Sequence, residues 1–249
     1  MKINKKVLQA LSKINNSIYD DIKIELLYHS NKLEGSTFSV QQLNKLLDEG
    51  TVVGEHSIDD IQTTINSMEL FDFIVKTIYE PITPRFLCEC HSLLMQNTTL
   101  EKQGLSGKFK SIPNRLRGIN LETAQPYEVA EKIEELLKKD VATIEDIACF
   151  HQKFEHIHPF QDGNGRIGRF IIFKQCINAN VDLIAIDNMY NAQYKEALYI
   201  AQTQEDNSAL VEVFKKCQER LDVKFDKYKK YLEEINTERA GTNSEELFN

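Results

Sequence analysis

No apolar run in this chain approaches 18 residues, so the sequence offers no transmembrane helix. Positive charge is in deficit. There are 30 Lys and Arg against 38 Asp and Glu, a formal charge of −8, which argues against the broad basic face of a nucleic-acid binder. Glycine and proline are scarce, at 10 and 5 in 249 residues. So little punctuation favours long helices over many short strands. Cysteine is odd in number: Cys88, Cys90, Cys149, Cys176 and Cys217 mostly lie in apolar, helix-like surroundings. A disulfide framework is not expected from them, and reduced thiols in a cytoplasmic protein are. Cys88 and Cys90 are too close for a zinc knuckle and have no second pair. The start, Met1 to Lys6, has basic residues but no apolar stretch behind them, so it does not read as a secretory leader. What remains is 41% hydrophobic and 27% charged, an ordinary globular composition with enough length to bury a sizeable core.

Helical periodicity runs through most of the chain. Val7, Leu8, Leu11, Ile14 and Ile18 recur at spacings of three and four, predicting one amphipathic helix. Ile22 to Leu33 predicts a second, stopped by Gly35. Ser36 to Ser39 supplies a cap for a third, through Leu43 and Leu47 to Gly50. Further helices are predicted over Ile58–Ile78, from Pro84 through Leu94, over Pro126–Lys139, Ile144–Phe154, Gly163–Asn178, Gln193–Thr203 and Ala209–Ile235. Residues 104–120 differ. They alternate basic and apolar side chains between Gly104, Gly107, Pro113 and Gly118, predicting a short β-hairpin flap. The expected class is therefore all-α with one β-hairpin. The expected organisation is N-terminal helices over 1–55, a core over 56–205, a C-terminal helix over 206–236 and a disordered polar tail over 237–249.

The informative segment runs from Ile157 to Arg169. Three of the ten glycines fall within residues 163–168. Gly163-Asn164-Gly165 can take strained backbone conformations that turn successive N–H groups toward one anion. The apolar run Ile167 to Phe173 follows at once, so the turn feeds the N-terminus of a buried helix, a phosphate site. Arg166 and Arg169 share a face of that helix and suit polyphosphate oxygens. Asp162 beside two arginines makes sense if the anion arrives with Mg²⁺, which takes carboxylate oxygens together with substrate phosphates. His158, just ahead of the turn, has the side chain best suited to a general base near neutral pH. His151 and His156 are five apart, a poor spacing for sharing a zinc ion with His158. The segment holds the parts needed to move a nucleotide or phosphoryl group onto a hydroxyl.

At every defining position the segment resembles the Fic family motif, His-Pro-Phe-x-Asp/Glu-Gly-Asn-Gly/Lys-Arg-x-x-Arg. The resemblance implies a Fic-type helical core and, for most members, transfer of AMP from ATP to a protein hydroxyl. It assigns His158 as the base, Asp162 as the Mg²⁺ ligand, Gly163, Asn164 and Gly165 as the phosphate cradle, and Arg166 and Arg169 as contacts to the outer phosphates. Gly165 stands where the phosphorylating Doc-like branch carries Lys, which favours AMP transfer. The flap resembles a hairpin that aligns the target by strand addition, through Lys110, Ser111 and Ile112. Many members have Arg where this chain has Lys110. Residues Asn191 to Ala201 resemble the adenine-pocket segment, with Tyr194 as the candidate contact.

Ser30-Asn31-Lys32-Leu33-Glu34-Gly35 also resembles the family's inhibitory motif, in an inhibitory helix of about residues 17–35. Ser30 and Glu34 are four apart on one helical face. Glu34 lies in the last turn, where the helix dipole disfavours a carboxylate and a positive partner would offset the cost. By resemblance that partner is Arg169. The implied partners are a protein target with a Ser, Thr or Tyr hydroxyl and the chain itself, with no nucleic acid and no membrane. Oligomeric state has no sequence signature. Three other functions stay open at this point: removal of AMP with help from Glu34, transfer from another nucleotide, and a nucleotide-sensing module.

Overall fold

Small polar side chains start most of the helices. The structure is a computed structural model that describes residues 1–14, 16–115 and 121–228. Helix α1 spans Lys5–Leu11, α2 Ile18–Leu33, α3 Val40–Glu49, α4 Ile58–Lys76, α5 Pro84–Met95 and α6 Thr99–Lys102. Then come α7 Val129–Leu137, α8 Ile144–Ile157, α9 Asn164–Ala179, α10 Asn191–Gln204 and α11 Ser208–Lys224. Ser17, Ser39, Ser57, Thr83 and Thr143 each accept a first-turn amide, and Ser39 with Gln42 closes a reciprocal capping box. Gly50 ends α3 in the left-handed conformation that a residue without Cβ adopts at no steric cost. No helix among the described residues is long and apolar enough to cross a membrane.

Three boundaries differ from the sequence expectation. The apolar spacing from Val7 to Ile18 does not make one helix. Ser17 accepts the Tyr19 amide and donates to the Leu11 carbonyl, so it starts α2 and ties off α1. Ile14 is consequently left 41% exposed. The hairpin over 104–120 reduces, among the described residues, to one antiparallel bridge between Arg115 and Glu122. Gly104 and Gly107 bend the chain at positive φ, and the Lys110 amide pairs with the Pro159 carbonyl instead of with a partner strand. Residues 116–120 of the expected flap lie outside the described residues. The last helix breaks at Lys224, with helical residues again at 226–228. Its expected end and the tail over 237–249 also lie outside.

Helix α9 is the axis of the core. Every residue from Arg166 to Ile177 is buried, polar ones included. It packs against α2, α4, α5 and α8. Lys174, 0% exposed, donates to the Thr77 carbonyl and lies over the Phe86 ring, so its charge is met by an acceptor and a π face.

Helix α2 is held to the C-terminal half by buried charge. Glu25 pairs with Arg220, Lys224 and His29, and Arg220 also reaches Asp187 at 2.7 Å. Burial alone would raise the Glu25 pKa from 4.5, but His29, Lys224 and Arg220 outweigh it and bring it to about 2. A depressed carboxylate pKa contributes stability that is complete above the unfolded value and is lost as pH falls through the folded one. Glu25→Gln is expected to lower stability by about 2 kcal/mol at pH 7, since a buried carboxylate that joins Arg220, Lys224 and His29 is lost. It should also flatten the loss of stability between pH 4.5 and about 2. Urea unfolding across that range measures both.

Candidate active site

The connection between α8 and α9 is left-handed at both ends. His158 caps α8 at φ 51°, and Gly163 precedes α9 at φ 77°. The positive φ at Gly163 favours glycine, and a Cβ there would also push the Met95 methyl, 2.3 Å away, aside. Between the two ends, Asn164 folds its amide back on Phe160, accepting from its N–H and donating to its C=O, both at 2.8 Å. The α9 N-terminus has no side-chain cap, so its first amides face outward unclaimed by any side chain.

His158 presents one ring nitrogen to the site. Its Nδ1 lies 3.3 Å from the Glu155 carbonyl, which can only accept. Nδ1 therefore carries the proton, and Nε2 keeps its lone pair. Burial pushes the imidazole pKa down to about 4; the Glu155 carbonyl opposes this and the Lys110 ammonium adds to it. His158 is thus neutral at pH 7, as a general base must be.

Arg169 is 3% exposed. Its Nε donates to the Ser30 hydroxyl at 3.0 Å, and its Nη2 to the Ser30 carbonyl at 2.9 Å and to Glu34 Oε1 at 2.6 Å. Burial alone would raise the Glu34 pKa, yet Arg169, with Arg166 and His158 behind it, holds it below the ordinary value. The Arg169 pKa moves up against its own burial, chiefly through Glu34. The pair meets over Gly165, where a Cβ would lie 2.3 Å from Glu34 Oε1 and 2.8 Å from Arg169 Nη1. The backbone turns away after Glu34 at Gly35, φ 90°.

Arg166 and Asp162 line a cleft of about 510 Å³, shared with Asn31, Glu34, Thr37 and Asp60. Arg166 Nη2 is 4.0 Å from Asp162 Oδ1, and its buried Nε has no partner among the described residues. That orphaned donor suits an incoming anion. The Asp162 side chain is 68% exposed, and Oδ1 accepts the Gly163 amide at 2.6 Å. Among the described residues no three potential ligands converge on one point. A single open carboxylate fits a Mg²⁺ ion that takes its other ligands from phosphate and water.

Two expected site residues face elsewhere. Tyr194 is buried, its hydroxyl 2.6 Å from His151 Nε2, so it offers no open surface to a nucleotide base. Lys110 points inward, although Ser111 and Ile112 are exposed beside it. Four residues of the site carried no signal in the sequence. His91, buried and stacked on Phe160, donates from Nε2 to the Asp162 carbonyl and accepts the Gly107 amide at Nδ1. Asn114 donates to the Phe160 carbonyl, and Thr123 joins it in holding Lys110. Glu155, beneath Gly168, is pushed up to about 8 by burial, against the pull of Arg169 and with the push of Glu34.

Residues 81–176 match the Fic/DOC family. That stretch holds the whole α8–α9 loop and most of α9. The chain is 26% identical over 208 residues to a protein adenylyltransferase Fic of Culex quinquefasciatus, an alignment covering 79% of this chain and 40% of that protein. It is 22% identical to protein adenylyltransferase fic-1 of Caenorhabditis elegans, over 70% of this chain and 36% of that one. The chain thus spans about two fifths of the length of the curated relatives it matches. A Fic domain-containing signaling protein of Bacteroides thetaiotaomicron shares the fold, with a TM-score of 0.73 at 24% identity, covering 81% of this chain and 84% of that one. C. elegans Fic-1 (residues 134–508) shares it with a TM-score of 0.71 at 21% identity, covering 89% and 66%. The Glu34–Arg169 ion pair joins a residue inside the matched stretch, Arg169, to a helix that precedes it.

Asn164→Ala would strip the buried Phe160 N–H of its side-chain acceptor. The variant is expected to lose about 1–3 kcal/mol of stability, measured by urea unfolding at neutral pH.

Proposed function

We propose that this Fic domain is a Mg-ATP-dependent protein adenylyltransferase, held back by Glu34. A single observation carries the reading. A neutral His158 with a free Nε2 stands beside an uncapped helix N-terminus, while the arginine best placed for an outer phosphate is occupied by a carboxylate. In the reaction a Ser, Thr or Tyr hydroxyl of a protein, the chain itself included, attacks the α-phosphorus of ATP. The new bond is P–O to the acceptor, the bond to the β-phosphate bridging oxygen breaks, and pyrophosphate leaves. His158 Nε2 takes the hydroxyl proton. The amides of Asn164 and Gly165 at the start of α9 and the Arg166 fork hold phosphate oxygens. Asp162 would hold Mg²⁺, which supplies charge neutralisation on the phosphates when bound.

Glu34 acts by competition. Arg169 cannot give Nη2 to Glu34 and to a γ-phosphate at once, so ATP bound beside the intact pair lacks one of its clamps. Uniform loss of grip would weaken binding, whereas a misplaced phosphate chain slows the chemistry.

The test is incorporation of α-labelled ATP with Mg²⁺. Glu34→Gly is expected to raise labelling above wild type. His158→Ala in that background is expected to lower it by about 10²–10⁴-fold. No rise with Glu34→Gly would remove the brake from the reading, and undiminished labelling by the double variant would remove His158 as the base.

A further inference from the structure

The sequence places Lys110 on the target side of the flap, but its side chain turns the other way. It is 3% exposed. Its ammonium spends all three protons inside the molecule, on Asn114 Oδ1 at 2.7 Å, Thr123 Oγ1 at 3.0 Å and the Ile157 carbonyl at 3.2 Å. Its amide donates to the Pro159 carbonyl at 2.8 Å. Ile157 and Pro159 are the residues immediately before and after His158. One lysine therefore grips both carbonyls that flank the base. Asn114 extends the grip to the next carbonyl, that of Phe160, at 2.8 Å.

The grip matters because of how His158 is built. A non-glycine residue at φ 51° is strained and persists only where its surroundings enforce the conformation. The lysine also places a full positive charge in the buried frame around the imidazole, and that charge disfavours a second one on the ring. Burial lowers Lys110 itself to about 8, with Glu128 opposing, so it is charged at pH 7. Facing His158 from α2 and from its own loop, Glu34 and Asp162 act in the opposite sense.

We propose that Lys110 is a positioning residue for His158, fixing the carbonyl frame from which the imidazole projects and holding the ring in its proton-accepting form. This rests on His158 serving as the base, as read above. Exposed Ser111 and Ile112 lie between the two gripping residues, Lys110 and Asn114. A target laid on them bears on the same stretch that frames the base, so docking and base placement are mechanically joined.

The test uses the Glu34→Gly protein, with and without Lys110→Met. With Lys110→Met, kcat is expected to fall by on the order of 10-fold or more. KM for ATP should hold, because Lys110 touches no phosphate-binding group. The acid limb of the pH profile should move up, toward the ordinary imidazole value of about 6.5. Lys110→Arg keeps a buried cation and is expected to leave the acid limb in place. Unchanged kcat and acid limb in a folded Lys110→Met protein overturn the proposal. A second measurement needs no catalysis. NMR titration of His158 in the Glu34→Gly protein is expected to give a higher midpoint with Lys110→Met, or with Lys110→Gln should the first not fold, than without it, and an unchanged midpoint overturns the proposal. Absence of labelling in the Glu34→Gly parent would count against adenylyl transfer instead, and that comparison would still decide the role of Lys110.

Discussion

A guanidinium buried in the middle of a helical core has to be answered by an anion. Arg169 sits on the most enclosed helix of the molecule, at 3% exposure, and an uncompensated charge there costs several kcal/mol. The surroundings are arranged around that requirement. Gly165 removes the side chain that would keep Glu34 from the fork, and Gly168 makes room for Glu155 beneath it. Ser30 contributes both its hydroxyl and its carbonyl, so two donors of the fork are fixed by α2 before Glu34 adds its charge. Whatever displaces Glu34 must therefore bring negative charge of its own, which a nucleotide polyphosphate does.

The loop that carries His158 answers a different constraint. It must hold a histidine in a strained backbone state and still leave the α9 amides open. The strain is met from three sides. His91 stacks on Phe160 and holds the Asp162 carbonyl, Asn164 closes the turn on Phe160, and Lys110 with Asn114 takes the carbonyls that remain. The carbonyls of Ile157, Pro159, Phe160 and Asp162 are thus each held from outside the turn. Rigid framing of this kind keeps a base within reach of a proton without the cost of ordering it at the moment of reaction.

Much of this was legible in the sequence, because the chemistry is contiguous. Six motif residues between His158 and Arg169 announce a base, a cradle and a phosphate clamp without reference to the rest of the chain. Ser30 and Glu34 were legible as one face of one helix. What escaped needs contacts across long separations. The direction of Lys110 is set by Ile157 and Pro159, nearly fifty residues on, and alternation along an irregular segment says nothing about it. His91 and Glu155 look like stray polar residues on apolar helices until α9 is packed against them. The break between α1 and α2 escaped for a local reason: Ser17 caps a helix at a point where the apolar spacing happens to continue.

Helix α2 is fastened well before the residue that pairs with Arg169. Glu25 and His29 anchor its middle to Arg220, Lys224 and Asp187, while Glu34 stands at its very end, just ahead of Gly35. The helix and the carboxylate can therefore part company. Freeing Arg169 takes a rotation of one glutamate side chain about its own bonds as another anion takes its place, and leaves the helix in its groove. A gate of that kind responds to whatever competes for the arginine at each instant, and carries no memory of having been open.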